Sequence, residues 1–205
     1  MPNGVLVPRL SYEDIRKHAD GFLREFHPEG SIPVPIEEIA DIKLRINIIP
    51  VPGLHDAIEL DGCMYGNLKD ICVDEYIYSH RPARYRFTLA HEIGHIVLHR
   101  HVYETARFKS IAEWPVFLNS ISETAHAWFE WQAYCFAGLV LVPAGPLAER
   151  VAEAVERVKA EGISLTENRD FAWERIAGSL AKQFEVSSAV IQKRFDYDHV
   201  REQYA

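Results

Sequence analysis

Tyr85-Arg86-Phe87-Thr88-Leu89-Ala90-His91-Glu92-Ile93-Gly94-His95-Ile96-Val97-Leu98-His99-Arg100 is the run from which the rest of the chain can be placed. Its residues favour a helix, and on a helix residues four apart share a face, one turn above the other. His91 and His95 can then both reach one metal ion at about 2.0–2.1 Å. Glu92 sits beside the first histidine, where a carboxylate can contact a metal-activated water and act as general base. The flanking residues Phe87, Leu89, Ala90, Ile93, Ile96, Val97 and Leu98 are apolar, so the helix is expected to be buried. Buried imidazoles and a buried carboxylate need partners, because an unpaired polar group inside costs several kcal/mol. Gly94, between the two histidines, costs roughly 1 kcal/mol of helix propensity relative to alanine, which implies that something approaches the backbone there. A solvated helix that carries two histidines by chance would show neither feature.

Outward from this helix, composition sets bounds. The chain has 205 residues, 48% of them apolar, enough for one domain with its own core. No run of eighteen apolar residues occurs, and the N-terminal residues lack the pattern of a secretory leader. Cys63, Cys72 and Cys135 are too few and too scattered for a disulfide framework, so the expected setting is a reducing cytoplasm. With no C-x-x-C pair, thiolates are poor candidate ligands. The net charge of −8 provides no long-range attraction to nucleic acid. Arg81, Arg84, Arg86, Arg100 and Arg107 form a modestly basic middle, read as a solvated face.

Local signals give an α+β class: a small antiparallel sheet packed on a helical bundle that carries the His91–His95 helix. Residues 1–10 read as an arm. Ser11 and Asp14 start a helix that reaches about Phe26. Leu44, Ile46 and Ile48 alternate with polar residues as a strand ended by Pro50 and Pro52. Asp61-Gly62 is a hairpin signal between strands at 57–60 and 63–65, and 70–75 is a further strand. Residues 101–120 read as an irregular stretch, a candidate lid. Further helices are expected from about Ser122 to Val142, from Leu147 to Ala160, and as a pair over Arg169–Phe195 broken at Glu185-Val186-Ser187. Three regions follow: an N-terminal arm and helix over 1–33, a core over 34–145 and a C-terminal helical region over 146–205.

A catalytic zinc centre has three protein ligands and an open position. His99 cannot share an ion with His91, since eight residues of helix span about 12 Å. It is read as supporting or packed at the helix end. Glu130 is the leading third ligand, because Ala133, Tyr134, Ala137, Val140 and Leu141 follow it on one inward stripe. His126 and Glu123, one and two turns upstream, are the alternatives. Each is also an ordinary residue near a helix start, where acids are favoured.

With these residues in view, the chain resembles the ImmA/IrrE family of metallopeptidases, also known as domain of unknown function 955. Arg86–His99 is similar to that family's segment around its metal helix. Glu130-Trp131-Gln132-Ala133-Tyr134-Cys135-Phe136-Ala137-Gly138-Leu139-Val140-Leu141-Val142-Pro143 resembles its E-x-E-A-N-x-F-A-A-x-L-L-M-P segment. A third and weaker block runs from Leu180 to Ser187 and on through Arg194-Phe195; together the blocks span about 34–195. The resemblance implies a gluzincin-like, zincin-type zinc endopeptidase with His91, His95 and Glu130 as metal ligands and Glu92 as catalytic acid/base. Zinc is the expected ion; manganese or iron would also suit two histidines and a carboxylate. The resemblance implies a regulatory protein substrate, such as a DNA-binding transcriptional repressor; from composition and charge, no membrane and no direct nucleic-acid partner are expected. Gln132 and Tyr134 depart from the family pattern, which has glutamate and asparagine there.

Beyond the ligands, Tyr76, Tyr78, His80, Arg84 and His126 are candidate oxyanion donors. An exposed edge of the sheet, at Asp70–Glu75, could receive the substrate as an added strand. Two rival readings stand beside peptide hydrolysis. One is a non-cleaving, metal-binding sensor or interaction module. The other is DNA binding through Phe184–Phe195, where Lys182, Lys193 and Arg194 are offset by Glu185, Asp196 and Asp198.

Overall fold

A computed structural model describes residues 7–106, 113, 116 and 121–204. The chain folds as an α+β unit of helices and one three-stranded sheet. Helix α1, Tyr12–Phe26, starts at a capping box: the Ser11 and Asp14 side chains each accept from the other's backbone N–H. A short helical turn, α2 at Ile36–Glu38, widens into a π turn at Ile39–Lys43 before strand β1, Asn47–Val51. Helix α3 (Leu54–Ile58), strand β2 (Gly62–Met64) and strand β3 (Asp70–Asp74) follow. Helix α4, Glu75–His80, is capped by Asp74, which accepts from the N–H groups of Tyr76 and Ile77.

The sheet is mixed rather than antiparallel. Its order is β1-β3-β2, with β1 parallel to β3 and β2 antiparallel to it. The expected hairpin at Asp61-Gly62 does not form, because Leu54–Ile58 takes a helical turn between two left-handed residues, Gly53 and Glu59. The hairpin lies one step later. Asn67 Oδ1 accepts from the N–H of Lys69 and Asp70, and Leu68 adopts φ 55°, turning β2 into β3. Pro50 lies inside β1 rather than ending it, which an edge strand permits. The central position belongs to β3, so Asp70–Asp74 has no free edge for a substrate strand; β2 is the outer strand on its other side. Cys63 and Cys72 face each other across β2 and β3, with Cα atoms 5.3 Å apart, and form a disulfide. The sequence reading expected no bridge; the hairpin register brings together two residues nine positions apart.

Helix α5, Pro82–Ala106, is longer than expected and breaks its regular geometry at His99 (φ −125°, ψ 17°). It takes in residues 101–106; the remainder of the 101–120 stretch, apart from 113 and 116, lies outside the described residues, as does Arg107. Helix α6, Glu123–Leu141, packs along α5. A Cβ at Gly94 would lie 3.3 Å from both the Cα and the carbonyl oxygen of Ala133. The expected backbone approach is therefore α6 itself, seated on the metal-motif helix where glycine faces alanine. β2 presses on α5 from the other side, where a Cβ at Gly62 would come within 2.7 Å of Thr88 Cγ2.

Three helices complete the chain: α7 (Ala144–Ala160), α8 (Arg169–Phe184) and α9 (Ser188–Tyr197). Arg194 of α9 is buried, donates to the carbonyls of Gly138 and Val142 at the end of α6, and pairs with Asp198 at 2.5 Å. Asp198 also holds Arg16 of α1 at 2.6 Å. Arg194, one of the cations considered for DNA contact, thus satisfies the C-terminal carbonyls of a core helix. No single described helix is long and apolar enough to cross a membrane.

Candidate metal centre

His91 and His95 lie one turn apart on α5, with Nε2 atoms 3.1 Å apart. Glu130 projects from the second turn of α6 onto the same point. Its Oε2 is 3.1 Å from His91 Nε2, and its Oε1 is 3.8 Å from His95 Nε2. Ligand atoms at the corners of a tetrahedron with bonds of 2.0–2.2 Å are separated by roughly 3.3–3.6 Å. The Nε2–Nε2 and Nε2–Oε2 separations of 3.1 Å lie just below that range and the 3.8 Å separation, to the other carboxylate oxygen, just above it, so these three side chains could hold a divalent ion. His91, Glu92 and His95 also bring a donor atom each within 4.8 Å of one another. The Glu130 carboxylate approaches both imidazole Nε2 atoms, so two carboxylates, Glu92 and Glu130, stand beside the histidine pair.

The charges match that geometry. The hydrogen bond to Glu130 raises the His91 pKa against the effect of burial. Burial works against the Glu130 carboxylate, but its bond to His91 and the charges of His91 and His126 hold it below its usual range. His95, deeply buried beside His91, is held well below the ordinary histidine value and is neutral, the form that ligates. Burial pushes the Glu92 carboxyl up to about 7, opposed by His91 and the Met64 N–H and assisted by Glu130. A carboxyl poised near neutrality suits a group that takes a proton and later returns it.

The centre opens into a cleft of about 400 Å³ whose walls include Asp61, Gly62, Arg84, Phe87 and His126. Arg84 donates to both Asp61 oxygens, at 2.5 and 2.7 Å, and His55 Nδ1 lies 3.0 Å from Asp61. Behind this wall, sharing His55 and Arg84, is a second cavity of about 650 Å³ bordered by Tyr76, His80 and Arg81. Of the candidate oxyanion donors, Arg84 and His126 line the cleft, Tyr76 and His80 line the neighbouring cavity, and Tyr78 packs edge-on against Tyr85. His126 Nε2 is 3.7 Å from Glu130 Oε1, beside the ligand cluster. Glu123 is exposed at the start of α6. Tyr134 packs on Phe87. Sequence reasoning missed Asp61 and His55; Asp61-Gly62 carried only a turn signal, and no periodicity marks a wall built from a loop and a five-residue helix.

A family profile described as the IrrE N-terminal-like domain, peptidase family M78, matches residues 69–196, more than half of the chain. The chain belongs to this family. The match begins at β3 and ends in α9, so it contains α5, α6 and all the residues just described except His55, Asp61, Gly62 and Met64. None of the curated proteins compared matches the chain. Membership in M78 carries a metallopeptidase-type function, a metal cofactor and a protein substrate. The family resemblance read from Arg86–His99 and Glu130–Pro143 is thereby borne out.

Proposed function

We propose that this M78 member is a zinc-dependent endopeptidase in which His91, His95 and Glu130 hold the ion and Glu92 is the acid/base. The convergence of Glu130 on both imidazole Nε2 atoms is the observation that carries the proposal. A bound divalent ion would acidify a water and polarise the scissile carbonyl. Glu92, buried beside His91, removes the water proton and delivers it to the departing amine. His126, at the cleft wall, donates to the oxygen that gains charge. The substrate main chain adds beside β2, the outer strand seated on α5, rather than beside the enclosed β3. Two cavities meeting at Arg84 and His55 give the cleft the length for a chain that continues past the cut bond, which supports endo- rather than exopeptidase action. The substrate class proposed is a regulatory protein, a DNA-binding repressor being the leading case.

Incubation of the zinc-loaded protein with such a repressor tests the reading. Discrete fragments are expected from the wild type, none after chelation, and none from a Glu92→Gln variant that still carries zinc. An intact repressor beside a zinc-loaded, folded wild type removes that substrate. Unabated cutting by Glu92→Gln removes Glu92 from the mechanism.

A further inference from the structure

His99 remains without a role in the mechanism above. Its imidazole is fully buried. It stacks on Phe129 at 4.4 Å between ring centroids, and Phe129 also stacks on His95 at 4.2 Å. The helix leaves regular geometry at this residue, and the ring's Nδ1 lies 3.0 Å from Nδ1 of His95. Two imidazole nitrogens at that distance share one proton, so one donates and the other accepts.

The ligand geometry decides which. His95 turns Nε2 toward His91 and Glu130, at 3.1 and 3.8 Å. An imidazole that offers Nε2 to a metal carries its proton on Nδ1. His95 must therefore donate, and His99 must accept at Nδ1, which places the His99 proton on Nε2. That nitrogen is buried and completes no hydrogen bond. The amide interacting with His99 is Gln132 on α6, itself fully buried, and its Oε1 is an acceptor that completes no hydrogen bond either. The orientation of this amide is fixed from its other end, where Gln132 Nε2 donates to the Pro8 carbonyl at 2.8 Å. A donor without an acceptor and an acceptor without a donor are thus neighbours, and the tautomer demanded by a metal on His95 makes them complementary.

We infer that His99 and Gln132 are positioning residues for the metal ligand His95. They form a relay from His95 Nδ1–H to His99 Nδ1, from His99 Nε2–H to Gln132 Oε1, and from Gln132 Nε2–H to the Pro8 carbonyl. The relay rests on the assignment of His95 as a ligand through Nε2. It fixes the ring's rotation and tautomer, and it fastens the residues before α1 to the back of the centre. Glutamine at position 132, where the family pattern has glutamate, keeps the acceptor and adds the donor that reaches Pro8.

Zinc affinity measured against a chromophoric chelator, with nitrogen–proton correlation spectra of the zinc-loaded wild type, tests the relay. His99→Phe retains a ring against Phe129 and removes both nitrogens; Gln132→Met removes the acceptor. Zinc binding is expected to weaken about 10–100-fold in His99→Phe, and in the same direction in Gln132→Met. Gln132→Glu, which keeps an acceptor, is expected to stay closer to the wild type than Gln132→Met. The spectra should show His95 protonated at Nδ1 and His99 at Nε2, a signature that loss of packing alone does not produce and that stands even if a variant fails to fold. Wild-type affinity in the folded variants, or a His99 proton on Nδ1, overturns the relay alone. A wild type that takes up no zinc overturns the relay together with the metal centre.

Discussion

At the scale of single residues, the cleft separates the groups proposed to hold the ion from those that serve the reaction. His126 is the informative case, because it was both an alternative ligand and a candidate oxyanion donor. It lies 3.7 Å from Glu130 Oε1, the oxygen that is also 3.8 Å from His95 Nε2. His126→Leu, which removes the donor, should lower kcat about 10²–10³-fold, leave KM near the wild-type value and keep zinc bound. Steady-state kinetics with metal analysis of the same preparation checks this; loss of zinc in step with activity would make His126 a ligand instead. The candidate ligands were legible in the sequence because helix geometry fixes the relation of His91 to His95, and the inward stripe on α6 fixes the phase of Glu130. The partner of His99 was not legible. Periodicity places Gln132 on α6 but says nothing about which amide atom faces α5, and that depends on Pro8, far away in the chain.

At the scale of elements, the contact between α5 and α6 sets the distance between the histidines and Glu130. Gly94 is a point of close approach: a Cβ there would meet the Phe136 ring at 3.1 Å and the Ala133 backbone, which cannot rotate away, at 3.3 Å. Gly94→Ala gains helix propensity of roughly 1 kcal/mol. Forcing the helices apart costs about 1–3 kcal/mol, so the net effect expected in urea unfolding is a loss of up to about 2 kcal/mol. Zinc affinity should fall at the same time, because the shift moves Glu130 relative to His91. A more stable variant with unchanged affinity would show that the helices adjust freely. The helices were readable in advance because caps and apolar stripes are local: Ser11 with Asp14, Ser122, and the break at Glu185 to Ser187 all mark real boundaries. The sheet was misread because its order depends on non-local pairing. Nothing within residues 47–51 states that they pair in parallel with 70–74, or that the five residues after Gly53 prefer a helical turn.

At the scale of the whole molecule, Asp198 joins the two ends of the fold. It pairs with Arg194, which closes the end of α6, and with Arg16 of α1, and it accepts from the Tyr12 hydroxyl at 3.1 Å. Burial alone would raise its pKa, but Arg194 and Arg16 hold it below the ordinary aspartate value. A carboxylate with a lowered native pKa contributes stability that is fully present above its unfolded pKa of about 3.9 and is lost as pH falls through the native value. Asp198→Asn, which leaves buried Arg194 without its counter-ion, should cost roughly 2–4 kcal/mol near pH 7. The gap from the wild type should stay constant down to about pH 4 and close only below it. Urea unfolding across that pH range reads the gap; one that already narrows between pH 7 and pH 5 would assign the coupling to another group.

The claim on which the functional account depends is that one carboxylate from α6 completes a site begun by two imidazoles on α5. The number of zinc ions retained per chain after dialysis, in the wild type, Glu92→Gln and Glu130→Ala, tests it most directly. One ion in the first two and none in the third is the predicted result. A full complement of zinc in folded Glu130→Ala would contradict it.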